Sequence, residues 1–300
     1  MRKILWGVVA VGLVGAVAAW VLTAPSLRHA QRVAGLTGDR GAGEAVFWAA
    51  GCASCHMAPG ATGEAQLVLA GGMAFPTAFG TFHAPNISTD AEQGIGGWTP
   101  GELAGAVMDG VSPLGTHYYP ALPYAAYAKM APQDMADLAA FLGTLPADAT
   151  PSKPHDLEFP FNIRRSLGGW KLLFLRDDWV LTEAATPEVT RGRYIVEALA
   201  HCGECHTPRN ALGGLDRTRW LAGAPSPDGR GRIPNITPGK LTWSEDEIVE
   251  YLTSGFTPEF DSVGGPMAHV VENMARLPES DRAAVAAYLK AVPAVAAAEN

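Results

Sequence analysis

The chain has 300 residues, enough for two domains of about 100 to 150 residues each. Hydrophobic residues make up 48% of it and charged ones only 17%, a balance that builds real cores and excludes a disordered chain. A formal net charge of −8 without a basic stripe argues against a nucleic-acid partner, whereas an acidic surface suits a soluble partner that presents a basic patch.

Residues 1–25 come first. After the basic start Met1-Arg2-Lys3, the stretch from Ile4 to Ala24 has no charge and one clearly polar side chain, Thr23. That reaches the ~20 residues needed to cross a bilayer, with the basic end in the cytoplasm and everything after it on the outer face. A cleaved signal peptide with Ala16-Val17-Ala18 as its small-residue site is the competing reading. The apolar run continues past that site to Trp20, a residue suited to the membrane interface, which favours an uncleaved anchor. On either reading the remainder is exported.

A polar tether, Ser26 to Thr37, leads into a first domain over residues 38–147. Gly43 to Gly51 reads as a helix with Val46, Phe47 and Ala50 on one face, and it delivers the chain into Cys52-Ala53-Ser54-Cys55-His56. Closely spaced Gly and Pro follow, then Gly71-Gly72 and Pro85-Asn86-Ile87, which read as a wrapping loop without regular elements. Thr99 caps a predicted helix with Pro100 at its first position and Glu102 in the capping-box place, running to Gly110. A Pro-rich loop, Val111 to Met130, precedes a last helix from Gln133 to Leu145 that Pro146 stops.

Residues 148–187 form a linker too rich in large apolar groups to hang free, from Phe159 to Ile163 and from Trp170 to Leu175. It is expected to pack along the domains, with a dip into the membrane surface as the alternative. A second domain, 188–295, repeats the first: Cys52 and Cys202, Asn86 and Asn235, Trp98 and Trp243, Gly110 and Gly255, and Phe141 and Tyr288 recur at offsets of 145 to 150 residues.

The repeated motif carries the chemistry. Cys52-Ala53-Ser54-Cys55-His56 and Cys202-Gly203-Glu204-Cys205-His206 use all four cysteines. Two thiols three positions apart on a helical turn can each form a thioether to one edge of a porphyrin, and the next histidine then lies under the ring as the proximal iron ligand. A single all-thiolate zinc site would leave both histidines unexplained. A thioredoxin-like redox motif expects a βαβ surrounding that the flanks lack, and a structural disulfide is the third bland reading.

With Pro-Asn-Ile after each motif, the Trp-Thr and Trp-Ser helix starts and the stretch Gly264-Gly265-Pro266-Met267-Ala268-His269-Val270-Val271, the chain resembles the multihaem cytochrome c subunits of periplasmic alcohol, aldehyde and sugar-acid dehydrogenases. Members with three haem sites exist; this chain has two and resembles a dihaem branch. The resemblance covers nearly everything from Gly43 to Pro293. It implies an all-α fold, two tandem class I cytochrome c domains after the N-terminal transmembrane helix, with two covalently bound haem c groups.

In such domains the resemblance implies a methionine as sixth ligand, from the loop before the last helix; its thioether favours Fe(II) and raises the potential. Met267 fills that role in the second domain, with Met274 as a packing rival. In the first, Leu122 stands where relatives with a ligand often have Met, and leucine cannot bind iron. Met130 is the leading substitute, His117 or an open iron the alternatives, and Met108 and Met73 read as packing groups. The metal ligands are thus His56, His206, Met267 and Met130. Arg209 is the favoured propionate partner, because a guanidinium binds a carboxylate in two places, ahead of His83 and His201. Trp98 and Trp243 fill cores.

The expected function is electron transfer at the periplasmic face of the bacterial inner membrane, from a dehydrogenase or quinol-oxidising complex to a downstream cytochrome or oxidase. No nucleotide fingerprint or Ser/His/Asp grouping suggests substrate chemistry. Leu122 motivates a second hypothesis, a haem enzyme whose first iron takes peroxide or a sulfur oxyanion. A haem-based sensor, lacking any output domain, ranks third.

Overall fold

The computed structural model describes residues 1–296. Helix α1, Arg2–Leu22, has 21 residues and no buried side chain. At 1.5 Å per residue it spans about 31 Å, close to the thickness of a bilayer's hydrocarbon core.

In the first domain α2, Arg40–Ala49, starts where the Asp39 side chain accepts a hydrogen bond from the Ala42 amide at 2.8 Å. A left-handed Gly51 then turns the chain into α3, Cys52–His56. The wrapping segment holds two short antiparallel strands, β1 (Ala74–Thr77) and β2 (Gly80–His83), so the expectation of no regular elements there is corrected. Phe75 opposite Phe82 supplies the cross-strand pair that stabilises them. Helix α4, Pro100–Asp109, has the Thr99–Glu102 capping box and ends at Gly110, which takes a left-handed φ of 60°. One turn, α5 (Tyr124–Tyr127), precedes α6, Pro132–Leu142.

The linker adds β3, Asp156–Leu157, to the edge of β2, and α7, Ser166–Phe174. Phe82, Tyr119 and Leu167 form a small core of their own under this junction. The second domain repeats the plan with α8 (Pro187–Tyr194), α9 (Gly203–His206), the short strand pair β4 (Ala224–Pro225) and β5 (Arg232–Ile233), α10 (Glu245–Ser254), α11 (Pro266–Met274) and α12 (Glu279–Ala291). Its capping box is Ser244–Glu247 and its left-handed stop is Gly255.

Each domain is held by a close crossing of its first and last helices. At Gly43 on α2 a Cβ would lie 2.0 Å from the Asp137 carbonyl oxygen of α6, and at Gly192 on α8 it would lie 1.9 Å from that of Ala284 on α12. Only glycine lets the backbones approach so closely. Phe141 and Tyr288 pack beside these glycines. The second domain has one more residue than the first between this glycine and its first cysteine. The chain absorbs it in a π-turn at Ile195–Leu199, where the Ala200 amide reaches back to the Ile195 carbonyl.

Candidate haem sites

Both Cys-x-x-Cys-His segments are short helices following a left-handed residue: Gly51 before α3, and His201, with φ of 42°, before α9. No disulfide joins any of the four cysteines. Burial pushes Cys52 up to about 12 and Cys55 to about 11, the neighbouring Cys205 adding repulsion to the latter; burial also pushes Cys202 up to about 12.

The proximal histidines are held identically. His56 Nδ1 donates to the Pro85 carbonyl at 2.8 Å, and His206 Nδ1 donates to the Pro234 carbonyl at 2.8 Å. A carbonyl can only accept, so the proton sits on Nδ1 and Nε2 keeps a bare lone pair, the tautomer an iron needs. Burial holds both imidazoles below their usual range, with the proline bond opposing it, so they are neutral. This donor set, thiol pair and oriented imidazole, fits a covalently attached haem.

The asparagine after each proline fixes that carbonyl in place. Asn86 Nδ2 donates to the Asp148 and Thr150 carbonyls at 2.7 and 2.8 Å, and Asn235 Nδ2 donates to that of Val295 at 2.9 Å. Their Oδ1 atoms accept from the Ser88 and Thr237 amides. The loop carrying the proline is thus clamped to the chain that leaves the last helix. Sequence reasoning gave Pro85, Asn86, Pro234 and Asn235 no role, although the duplicated Pro-Asn-Ile was the signal that could have found them.

On the opposite side the backbone makes the two domains comparable. Tyr118 donates to the Gly110 carbonyl and Val263 to that of Gly255, both at 2.7 Å, and the bridges Val111–His117 and Phe256–Ser262 precede them. Four residues further on stand Leu122 and Met267, each half-buried against the core. Met267 opens α11; its counterpart in the first domain is Leu122. Met130, eight residues beyond Leu122, is buried in the core, as are Met108 and Met274. His117 Nε2 donates to the Thr23 carbonyl at the end of α1 at 3.0 Å, and its Nδ1 is buried without a partner among the described residues. Arg209 bonds the Gly213 carbonyl and pairs with Glu204 on α9. His83 pairs with Asp156 of β3, and His201 lies edge-on to Tyr127.

That last contact belongs to an interface joining the two motifs. Tyr127, whose hydroxyl donates to the Ala50 carbonyl just ahead of Cys52, stands 5.7 Å from the His201 ring just ahead of Cys202. Tyr194 of the second domain donates to Asp134 at 2.5 Å and accepts from the Ala131 amide. The Arg276 guanidinium lies 4.0 Å over the Trp48 ring.

Two helical domains, each closed by a glycine crossing around a thiol pair and a carbonyl-oriented histidine, define a c-type cytochrome. The Cytochrome c family model matches residues 41–146 and 189–293, and the chain belongs to this family. It is 57% identical over 294 residues, 98% of its length and 99% of the relative's, to a protein of Cereibacter sphaeroides described as diheme cytochrome c-type. It is 39% identical to the fructose dehydrogenase cytochrome subunit of Gluconobacter japonicus, with 83% of this chain and 51% of that one covered. Identity to the gluconate 2-dehydrogenase cytochrome c subunit of Pantoea cypripedii is 33%, over 86% of this chain and 60% of the other. The chain therefore spans about half the length of those dehydrogenase subunits. It is a dihaem electron-transfer protein with two covalently bound haem c groups.

Proposed function

We propose that the protein is an anchored electron conduit on the periplasmic side of the inner membrane. It accepts electrons from a dehydrogenase or quinol-oxidising complex and hands them to a downstream cytochrome or oxidase. The observation that carries this reading is the placement of both histidine sites against one inter-domain interface, so that one chain holds two redox centres in fixed relation. The 21-residue apolar helix α1 and its basic start support the anchor and its orientation. The dehydrogenase subunits among the relatives support the type of donor.

Haem, when bound, supplies reversible one-electron exchange between Fe(III) and Fe(II). Cys52 and Cys55 would hold one group by thioethers and Cys202 and Cys205 the other, with His56 and His206 as the proximal ligands. The Pro85 and Pro234 carbonyls hold the Nδ1 protons, which orients each ring and raises its basicity as a ligand. Met267 would be the sixth ligand of the second site, where its thioether would favour the reduced form. For the first site the position equivalent to Met267 is a leucine, and Met130 is the thioether assigned to it.

The test is stopped-flow reoxidation of the reduced full-length protein by a small basic cytochrome over a range of salt. Both haems should reoxidise, at a rate that falls as salt screens the attraction to a chain of net charge −8. Steady turnover of peroxide by the reduced protein, with no transfer to the cytochrome, would overturn the reading.

A further inference from the structure

We propose that the linker between the two domains is a second membrane contact, a foot that lies on the lipid surface beside the exit of α1. The inference rests on the reading that α1 spans the bilayer.

The end of α1 is seated on the linker. The Arg165 guanidinium lies 4.1 Å over the ring of Trp20 and also bonds the Trp20 carbonyl. At Gly168 any side chain would collide with Thr23, whose carbonyl oxygen would be 2.1 Å away. Residues 165, 168 and 172 lie three and four apart on one face of a helix, so Leu172 belongs to the face that meets the end of α1. The opposite face is taken: Leu167 is buried, Lys171 Nζ donates to the Asp109 and Gly110 carbonyls, and Trp170 packs on Tyr124.

What the linker leaves open beside this joint is apolar. Leu172 and Leu173 are 58% and 57% exposed, Phe159 is 77% exposed, and Phe161 and Ile163 are exposed with them. An apolar group of this size in a water-soluble surface calls for an occupant. Its continuity with the membrane exit points to lipid, and so does its charge. From Phe159 to Arg176 there are three arginines, Arg164, Arg165 and Arg176, besides the inward-turned Lys171, and no acidic residue, with Glu158 just before them, in a chain whose net charge is −8. Asp177 and Asp178, which follow, are already paired with Arg28 and Arg217. Large apolar side chains flanked by arginines are the composition that seats a helix at an anionic interface. The foot fixes the tilt of both domains over the membrane, which a single helix on a tether leaves free.

The experiment uses the full-length holoprotein in vesicles of phosphatidylethanolamine and phosphatidylglycerol. A trace of phospholipid carries a photoactivatable diazirine near the headgroup, and labelled peptides are mapped by mass spectrometry. Label is expected both on α1 and across residues 159–175. The double variant Leu172→Glu/Leu173→Glu, which alters only exposed side chains, should keep its haem spectrum and its α1 label and lose most of the label on 159–175. Label on α1 with none on 159–175 overturns the foot alone and leaves the patch to a protein partner. Label on neither overturns the foot together with the anchor.

Discussion

Asn273, on α11 of the second domain, donates its Nδ2 hydrogen at 2.7 Å to the hydroxyl of Ser54, which lies between the two cysteines of the first domain's motif. A side chain of the second domain is therefore tied directly to the first domain's attachment helix. Tyr194, with its bonds to Asp134 and Ala131, closes the same interface further along. Tyr194→Phe should cost about 1–3 kcal/mol, since it strands the Ala131 amide and the Asp134 carboxylate. Calorimetry of the holoprotein should then show two separate unfolding transitions where the native chain shows coupled ones.

Haem attachment is divisible. Cys202→Ala with Cys205→Ala should halve the haem per chain by the pyridine haemochromogen assay and leave the first site loaded, because Cys52, Cys55 and His56 all lie in the first domain. Retention of two covalent haems in that variant would disprove the assignment of these thiols.

The two distal sides should respond differently to substitution. Met267→Leu should remove the sulfur-to-iron charge-transfer band of the second haem and lower its midpoint potential by on the order of 0.1 V or more, within the ~0.8 V that axial ligation spans. Met130→Leu should do the same at the first haem and open it to carbon monoxide. A first haem unchanged in Met130→Leu would show that its sixth ligand is another group.

The glycine crossings are intolerant of volume. Gly192→Val places carbon atoms within 2 Å of the Ala284 carbonyl oxygen and forces α8 and α12 apart. A loss of at least about 3 kcal/mol is expected in denaturant melts of the holoprotein, at the upper end of what overpacking costs. Gly264→Ala, at a position with no neighbour in reach of a Cβ, should be nearly neutral.

The joint between α1 and the first domain should loosen in acid. His117 is buried at this joint, and desolvation first, with Lys171 and Arg165 contributing, holds its imidazole below the ordinary 6.5. As the pH falls through about 6.5 the unfolded chain takes up a proton that the folded site refuses, so stability is lost from there downward to the lowered folded pKa. Hydrogen exchange at residues 23–30 should rise below pH 6.5, and His117→Gln should flatten that dependence relative to the parent.

Much of this molecule is written in short stretches of its sequence. Thioether chemistry depends on two thiols and an imidazole within five residues, so local spacing was enough to read the cofactor. The capping boxes at Thr99–Glu102 and Ser244–Glu247 are equally local, and the duplication follows from comparing the chain with itself. The hairpin of β1 and β2 was not legible, because four-residue strands bounded by Gly and Pro look like loop until a third strand from the linker pairs with them.

What only the tertiary structure decided are relationships between residues far apart in the chain. Pro85 and Pro234 gained a role because folding brought a carbonyl within 2.8 Å of an imidazole 28 or 29 positions earlier. His117 meets, through Nε2, the Thr23 carbonyl 94 residues away, which ties the first domain to the end of α1. The correspondence of Leu122 with Met267, already expected from the resemblance, is held in space by one backbone bond in each domain, from Tyr118 to Gly110 and from Val263 to Gly255. The sequence by itself determines which bonds to haem can form, since those depend on neighbours along the chain. Which groups face the iron, the other domain or the membrane is decided by packing, because those distances exist only once the helices have crossed.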